Sequence, residues 1–312
     1  MAFQLRPDES VTHGFQRLAR KELKSTRGGL GKSRPPGDEP IHEARKSVKK
    51  VRAILQLIDD DGGSGLGGVE KRLRSVSQTL SGLRDRDVMM ETLAQFRARH
   101  PPLFDEHTFA RLHRDLAARK RDAIKTAGRK DIWKTVDRKL RAVRRDAKRW
   151  RLEHSGLKAM TRGIRAAHRR GRQALKRAKK RQRASDFHTW RKEMKALWYA
   201  LRLVEESGRY VRRDIRALHR AETLLGDEHN LVVLCEELSS DRTICRGPVE
   251  IDRLRLLADR DQCRLREKAI AAVRHVYERR SGAYASDVER ACKTWHRHTR
   301  SGGARGRRRA AA

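Results

Sequence analysis

One helical segment occurs twice in this chain. Residues 41–58 read IHEARKSVKKVRAILQLI, and residues 187–204 read FHTWRKEMKALWYALRLV. His42 matches His188, Arg45 matches Arg191, Lys46 matches Lys192 and Lys49 matches Lys195; Leu55 and Leu57 match Leu201 and Leu203. Two copies of one basic helix, about half a chain apart, point to a duplicated helical fold with a shared site for polyanions.

On a helical wheel of about 100° per residue, Ile41, Ala44, Val48, Val51, Ile54, Leu55 and Ile58 share one arc. His42, Arg45, Lys46, Lys49, Lys50 and Arg52 fall on the opposite arc. The second copy divides the same way. Phe187, Trp190, Met194, Leu197, Leu201 and Val204 form its apolar face, and His188, Arg191, Lys192, Lys195 and Arg202 its basic one. Like charges at i, i+3 and i+4 cost a few tenths of a kcal/mol per pair. The only acids within the stripes, Glu43 and Glu193, lie off-centre. The same unfavourable pattern in both halves suggests that a bound anion neutralises it. Arg offers phosphate oxygens a fork of donors and Lys a compact charge. A protonated His at the head of each stripe would donate as well.

The whole composition agrees with such a ligand. The 312 residues include 77 Lys and Arg against 40 Asp and Glu, a formal charge of +37. That excess attracts DNA, RNA, anionic lipid or polyphosphate alike. Aromatic residues make up only 5%, which disfavours a single-strand platform built on base stacking. Charged residues reach 38%, a level that raises the question of disorder. The apolar residues recur at helical spacing, however, and the few prolines (7) leave long stretches without a breaker. The expectation is an all-α fold.

No apolar run reaches membrane-spanning length, and MAFQLRPDES lacks the apolar core of a signal peptide. The expected location is the cytoplasm, with no membrane association. Cys235, Cys245, Cys263 and Cys292 form no CxxC pair and read as structural thiols. The 13 His residues contain no metal-binding spacing, so neither metal nor cofactor is expected.

Along the chain, helices are predicted at about 10–24, 41–58, 69–80 and 85–99, with a loop over 25–40 and a flexible connection over 59–68. Turns are expected at Ser81–Gly82 and at Pro101–Pro102. Longer helices follow at 104–127 and 130–153, and a boundary between halves at Ser155–Gly156. The second half predicts helices at 157–182, 186–206, 209–225, 229–238, 249–280 and 286–299, with turns at Gly208 and Gly226 and a break near Arg246–Pro248. LSGLRDRDVMMETL and LLGDEHNLVVLCEEL align Asp85 with Asn230, as N-caps of the helices that follow. Residues 8–300 thus form one domain of two halves, about 8–154 and 157–300. SGGARGRRRAAA, residues 301–312, reads as a disordered basic tail.

IHEARKSVKKVRAILQLI, LSGLRDRDVMM, HRRGRQALKRA and FHTWRKEMKALWYALRL together resemble the CHAD family of α-helical domains, in the family's order and over nearly the whole chain. The resemblance implies two four-helix bundles related by a pseudo-twofold axis, with basic helices lining a central cavity. It also implies binding of inorganic polyphosphate and association with polyphosphate granules. By position, His42, Arg45, Lys46, Lys49 and Arg52 would bind phosphate in the first half, and His188, Arg191, Lys192 and Lys195 in the second. Arg169, Arg172 and Lys176 match basic positions of the helix before the second copy, and Arg17, Arg20 and Lys21 are their expected first-half counterparts. The copies depart from each other where Trp198 replaces Arg52. No ExExK strand motif of the fused triphosphatase domains is present.

GGLGKS (28–33) is not a P-loop, because Thr26 stands where the pattern needs Gly and no strand precedes it. No local Ser-His-Asp, Cys-His or paired-carboxylate signature suggests an enzyme. The rival reading is a helical nucleic-acid-binding protein, to which the basic tail would contribute weakly. No helix-turn-helix, RRM or zinc-finger pattern supports it.

Overall fold

A computed structural model describes residues 3–32, 36–58, 66–101, 106–129, 132–152, 156–240 and 248–309. It does not describe the side chains of 82–87, 119–120, 123–129, 239–240, 248–251 and 298–309. The described residues form helices and contain no strand, as the periodicity predicts. The first half holds α1 (Val11–Leu30), α2 (Asp38–Ile58), α3 (Gly67–Arg99), α4 (Glu106–Arg129) and α5 (Ile132–Asp146). The second holds α6 (Gly156–Arg181), α7 (Ala184–Arg202), α8 (Arg209–Ser240), α9 (Pro248–Ala272), the short α10 (Arg274–Tyr277) and α11 (Ser281–Arg309).

Helices α1, α2, α3 and α5 close a ring of contacts in the first half: α1 on α2, α2 on α3, α3 on α5 and α5 back on α1. In the second half α6 packs on α7, α7 on α8, α8 on α9, and α11 on α6. The halves meet through α2 on α6 and α7, and α3 on α8. Gly163 of α6 makes one of these approaches possible. A Cβ there would lie 2.9 Å from the Leu57 Cα, too close for any side chain.

Two apolar cores hold the helices. The larger takes Leu73, Val76 and Leu80 from α3 and Ala221 and Leu225 from α8, with residues of α1, α2, α5, α6, α7 and α11. The smaller begins at Met89 of α3 and Leu231 of α8 and adds Leu112 and Leu116 of α4 and Leu254, Ala258 and Leu265 of α9. Helices α3 and α8 pass through both. Their 33 and 32 residues reach about 50 Å at 1.5 Å per residue.

This continuity corrects the turns predicted at Ser81–Gly82 and Gly226. The helices run on from one core to the other, between Leu80 and Met89 in α3 and between Leu225 and Leu231 in α8. Asp85 and Asn230 are therefore interior helical positions and not N-caps; the Asp85 side chain lies outside the described residues. The loop predicted over 25–40 is shorter, since α1 continues through Gly28 and Gly29 to Leu30. Leu30 is buried in the larger core and carries the helix past the glycines. The last helix, predicted to stop near 299, continues to Arg309, with no proline to end it. The predicted connection over 59–65, Pro102, Ser155, Arg246 and Cys245 lie outside the described residues. Cys235, Cys263 and Cys292 are free thiols, and no described helix is long and apolar enough to cross a membrane.

Candidate functional site

The polar faces of α2 and α7 meet the middle of α3 and α8 around a cavity of about 670 Å³. Helix α2 contributes His42, Arg45, Lys46, Lys49 and Arg52; helix α7 contributes His188, Arg191, Lys192 and Lys195. Every phosphate-site residue predicted on the two basic motifs thus lines one space. The reason is local. Ile41, Ala44, Val48, Val51 and Leu55 bury one face of α2, and Phe187, Trp190, Met194, Leu197 and Leu201 bury one face of α7. The remaining polar stripes are turned toward the stretch where Ser77 and Ser81 of α3 and Gly226, Asp227, His229 and Asn230 of α8 line the same space, with Val88, Met89 and Val233 beside them.

Crowding the cations together shifts their proton equilibria. Burial, reinforced by the charges of Lys195, Arg45 and Arg191, pulls the Lys49 ammonium from an ordinary 10.5 down to about 7. Lys195 is lowered by burial too, with the Glu222 charge opposing the shift. His188 falls to about 4 through burial and the neighbouring His229, Lys192 and Arg191. Its ring lies 4.3 Å from that of His229. These surroundings favour the neutral His188 imidazole at neutral pH, whereas the protonated donor expected from the sequence is the form that a neighbouring phosphate would favour. A neutral ring still carries one N–H.

Glu222 of α8 is the main residue missed by sequence reasoning. It is 6% exposed, accepts from Arg191 Nη2 at 2.9 Å, and accepts from Lys195 Nζ on the same oxygen. Burial alone would raise its carboxyl, but Lys195 and Arg191 outweigh that and hold it below the ordinary carboxylate range. The acid that balances the α7 stripe thus comes from another helix. No spacing within the motif could reveal it. Gly226 serves the same contact: a Cβ there would lie 3.0 Å from Arg191 Nη2. It is present for close approach and not for a turn. Ser77 and Ser81 of α3 and Thr223, Asp227 and His229 of α8 also reach the cavity and were not anticipated. The short polar motifs around them were the available signal.

The two stripes are balanced differently. Arg52 is held by Glu70, with Nη2 to Oε1 at 2.6 Å and Nε to Oε1 at 3.0 Å. Its counterpart Trp198 is buried, stacks on His219 at 4.9 Å and lies under the Arg202 guanidinium at 5.1 Å. Lys50, counted with the basic face, turns away to Glu22 at 3.0 Å, and Lys46 pairs with the exposed Glu43 at 2.6 Å.

The remaining predicted residues do not line this cavity. Arg17 is bound to Glu9 through Nε at 2.8 Å and to the Gln4 carbonyl at 3.0 Å. Arg20 lines a separate basic depression between α1 and α5, and Lys21 is exposed. Arg169 and Lys176 are exposed on α6, and Arg172 donates from Nε to the Tyr277 carbonyl at 3.0 Å. Helices α1 and α6 bury their apolar faces in the core and leave these positions on their outer sides. His168, at the start of that α6 motif, is fully buried. Its ring nitrogens meet the Val276 carbonyl at 2.9 Å and the Ser281 hydroxyl at 2.8 Å.

Fold and site together define an all-helical protein with a strongly cationic internal cavity. The family model for the CHAD domain matches residues 17–239, and the chain belongs to that family. Among solved structures, it is similar to the CHAD domain from the plant Ricinus communis. The identity is 18%, with a TM-score of 0.63 over 88% of this chain and 95% of the other. PptA from Streptomyces chartreusis is similar at 17% identity and a TM-score of 0.59, over 87% of this chain and all of that one (100%). Both likenesses concern the fold. No curated protein matches the chain.

Proposed function

We propose that the protein binds inorganic polyphosphate in the cavity between α2, α3, α7 and α8, and that it does so without catalysing a reaction. The observation that carries this reading is the convergence of Arg45, Lys49, Arg191, Lys192 and Lys195 from two helices on one space. Two acids face these cations: Glu222, ion-paired with Arg191 and Lys195, and Asp227 on the lining. Burial, added to by the charges of Lys195, Arg45 and Arg191, brings Lys49 down to about 7, a stored cost that a dense anion would relieve. Polyphosphate carries charge on every unit and has no sugar or base to accommodate in about 670 Å³. Membership of the CHAD family supports the same ligand. The fuller picture has the two halves related by a pseudo-twofold axis. It places the protein in the cytoplasm at polyphosphate granules, with Arg17, Arg20, Lys21, Arg169, Arg172 and Lys176 as outlying phosphate contacts.

Competition decides between this reading and nucleic-acid binding. Labelled long-chain polyphosphate is titrated against duplex DNA and RNA at physiological salt. Retention of polyphosphate at equal concentrations of competing charge is the expected result. Displacement by nucleic acid at equal charge would overturn the reading.

A further inference from the structure

Outside the cavity, positive charge concentrates on the outer face of α5 and the adjoining side of α1. Helix α5 buries Trp133, Val136, Leu140 and Val143 and leaves Arg138, Arg141 and Arg145 exposed. These three positions stand at i, i+3 and i+7, a ridge about 10 Å long at 1.5 Å per residue. A depression of about 500 Å³ lies along the ridge, between Lys134, Arg138, Arg141 and Arg145. A second, of about 260 Å³, is lined by Arg20, Arg27, Arg141, Arg144, Arg145 and Lys148, with no acid among them. The acid at the rim, Asp137, is already taken by Arg27 at 2.6 Å and Arg141 at 2.7 Å.

Two features set this face apart from an ordinary solvated helix. Like charges recur at i, i+3 and i+4 through Arg138, Arg141, Arg144, Arg145 and Lys148, each pair unfavourable without a counter-ion. The Nε–H groups of Arg20 and Arg144 are buried and have no acceptor in the protein within hydrogen-bond reach, a costly arrangement for a charged donor.

We propose that this α1/α5 face is a second binding site for inorganic polyphosphate, separate from the cavity. Its cations are arginine-rich, which suits phosphate oxygens. A thin, unbranched anion can run along the exposed ridge and reach the buried Nε–H groups of Arg20 and Arg144 at its side. No aromatic side chain lines either depression to stack a base. Helix α5 packs on α1 and α3, and the depressions share no residue with the cavity. A long chain engaged at both places would gain from effective concentration, whereas a short one would bind each independently. The identity of the polymer rests on the cavity reading; the existence of the site does not.

The test compares Arg138→Gln/Arg141→Gln/Arg145→Gln with two other variants of equal charge. One is the cavity variant Arg45→Gln/Lys49→Gln/Lys192→Gln. The other is a control on the exposed face of α9, Arg253→Gln/Arg255→Gln/Arg260→Gln. Stoichiometry is read with tripolyphosphate by calorimetry, and affinity with long-chain polyphosphate as a function of salt. The outer variant is expected to lose one of two tripolyphosphate sites. It should also weaken long-chain binding by about tenfold or more and flatten the salt slope by about two to three units, while the control stays near wild type. Equal loss in the outer variant and the control would overturn the proposal. So would loss of duplex DNA binding with polyphosphate unaffected. If only the cavity variant loses tripolyphosphate, the cavity reading stands and this one falls. If only the outer variant does, the reverse holds.

Discussion

Arg191 donates from Nη2 to the Glu222 carboxylate at 2.9 Å, and Lys195 donates to the same oxygen. On the proposed polyphosphate reading, this carboxylate of α8 takes donors of the α7 stripe that a phosphate oxygen would otherwise use. Glu222 thus offsets the charge of Arg191 and Lys195, and on the same reading it would compete with polyphosphate. Replacing Glu222 by Gln should lower the melting temperature of the ligand-free protein, because breaking a buried pair costs about 3–5 kcal/mol. The same change should tighten polyphosphate binding by about tenfold, near 1.4 kcal/mol. Weaker binding by the Gln variant would show that Glu222 positions the cations and does not compete.

Lys49 gives the cavity a pH dependence of known sign. Its folded-state pKa, near 7, lies below the ordinary 10.5. Between those values the unfolded chain holds a proton that the folded protein lacks, so stability is lost as pH falls from 10.5 toward 7 and levels off below. Lys49→Met should therefore raise the melting temperature at pH 7, by an amount that shrinks above pH 10. It should also weaken polyphosphate. Wild-type affinity should decline as pH rises from 6 to 8, and the decline should be shallower in Lys49→Arg. A melting temperature at pH 7 unchanged by Lys49→Met would remove the strain argument.

Much of this site was legible in the sequence. Matching two 18-residue segments placed His42, Arg45, Lys49, His188, Arg191 and Lys195 on polar stripes, and an amphipathic helix has one way to turn such a stripe. The α3 and α8 walls were misread because Gly82, Gly226 and the polar residues around them look like turns in a linear sequence. Only the two-core arrangement shows that a continuous helix can be polar over about two turns where it walls a cavity. Glu222 was invisible for a different reason: its partners stand on α7, and nothing in the sequence of α8 marks which acid will be buried. Arg17 and Arg172 were expected as phosphate contacts on the helices that precede the two motifs, and α1 and α6 carry them on their outer sides, away from the cavity lining.

His168 links the fold to acid stability. It is fully buried, its ring stacks on Tyr284 at 4.3 Å, and both ring nitrogens have neutral partners. Burial lowers its pKa from the ordinary 6.5. Below pH 6.5 the unfolded chain takes up a proton that the folded protein resists, so stability falls as pH drops. His168→Gln should be less stable at pH 7 and should show a smaller loss between pH 7 and 5, measured by urea unfolding. Parallel pH profiles for variant and wild type would exclude His168 as the source.

Gln182 ends α6 in the left-handed region, at a φ of 54°. A residue with a Cβ is strained there, by about 1 kcal/mol relative to Gly. Its carbonyl, which accepts from Arg266 Nη1 at 3.3 Å, is kept by any substitution. Gln182→Gly should raise stability by about 0.5–1 kcal/mol without altering polyphosphate affinity. A loss of stability would mean that the Gln182 side chain, which donates to the Lys179 carbonyl at 2.9 Å, matters more than the backbone.

The most direct test of the central claim is the salt dependence of long-chain polyphosphate affinity, measured for wild type and for Arg45→Gln/Lys49→Gln/Lys192→Gln. A cavity that grips phosphates should give a steep fall of affinity with ionic strength. The triple variant should bind about a hundredfold more weakly, with the slope reduced by about two to three units, in proportion to the contacts removed. An affinity and slope in the triple variant no different from those of Arg253→Gln/Arg255→Gln/Arg260→Gln would contradict the account, because net charge alone would then explain binding.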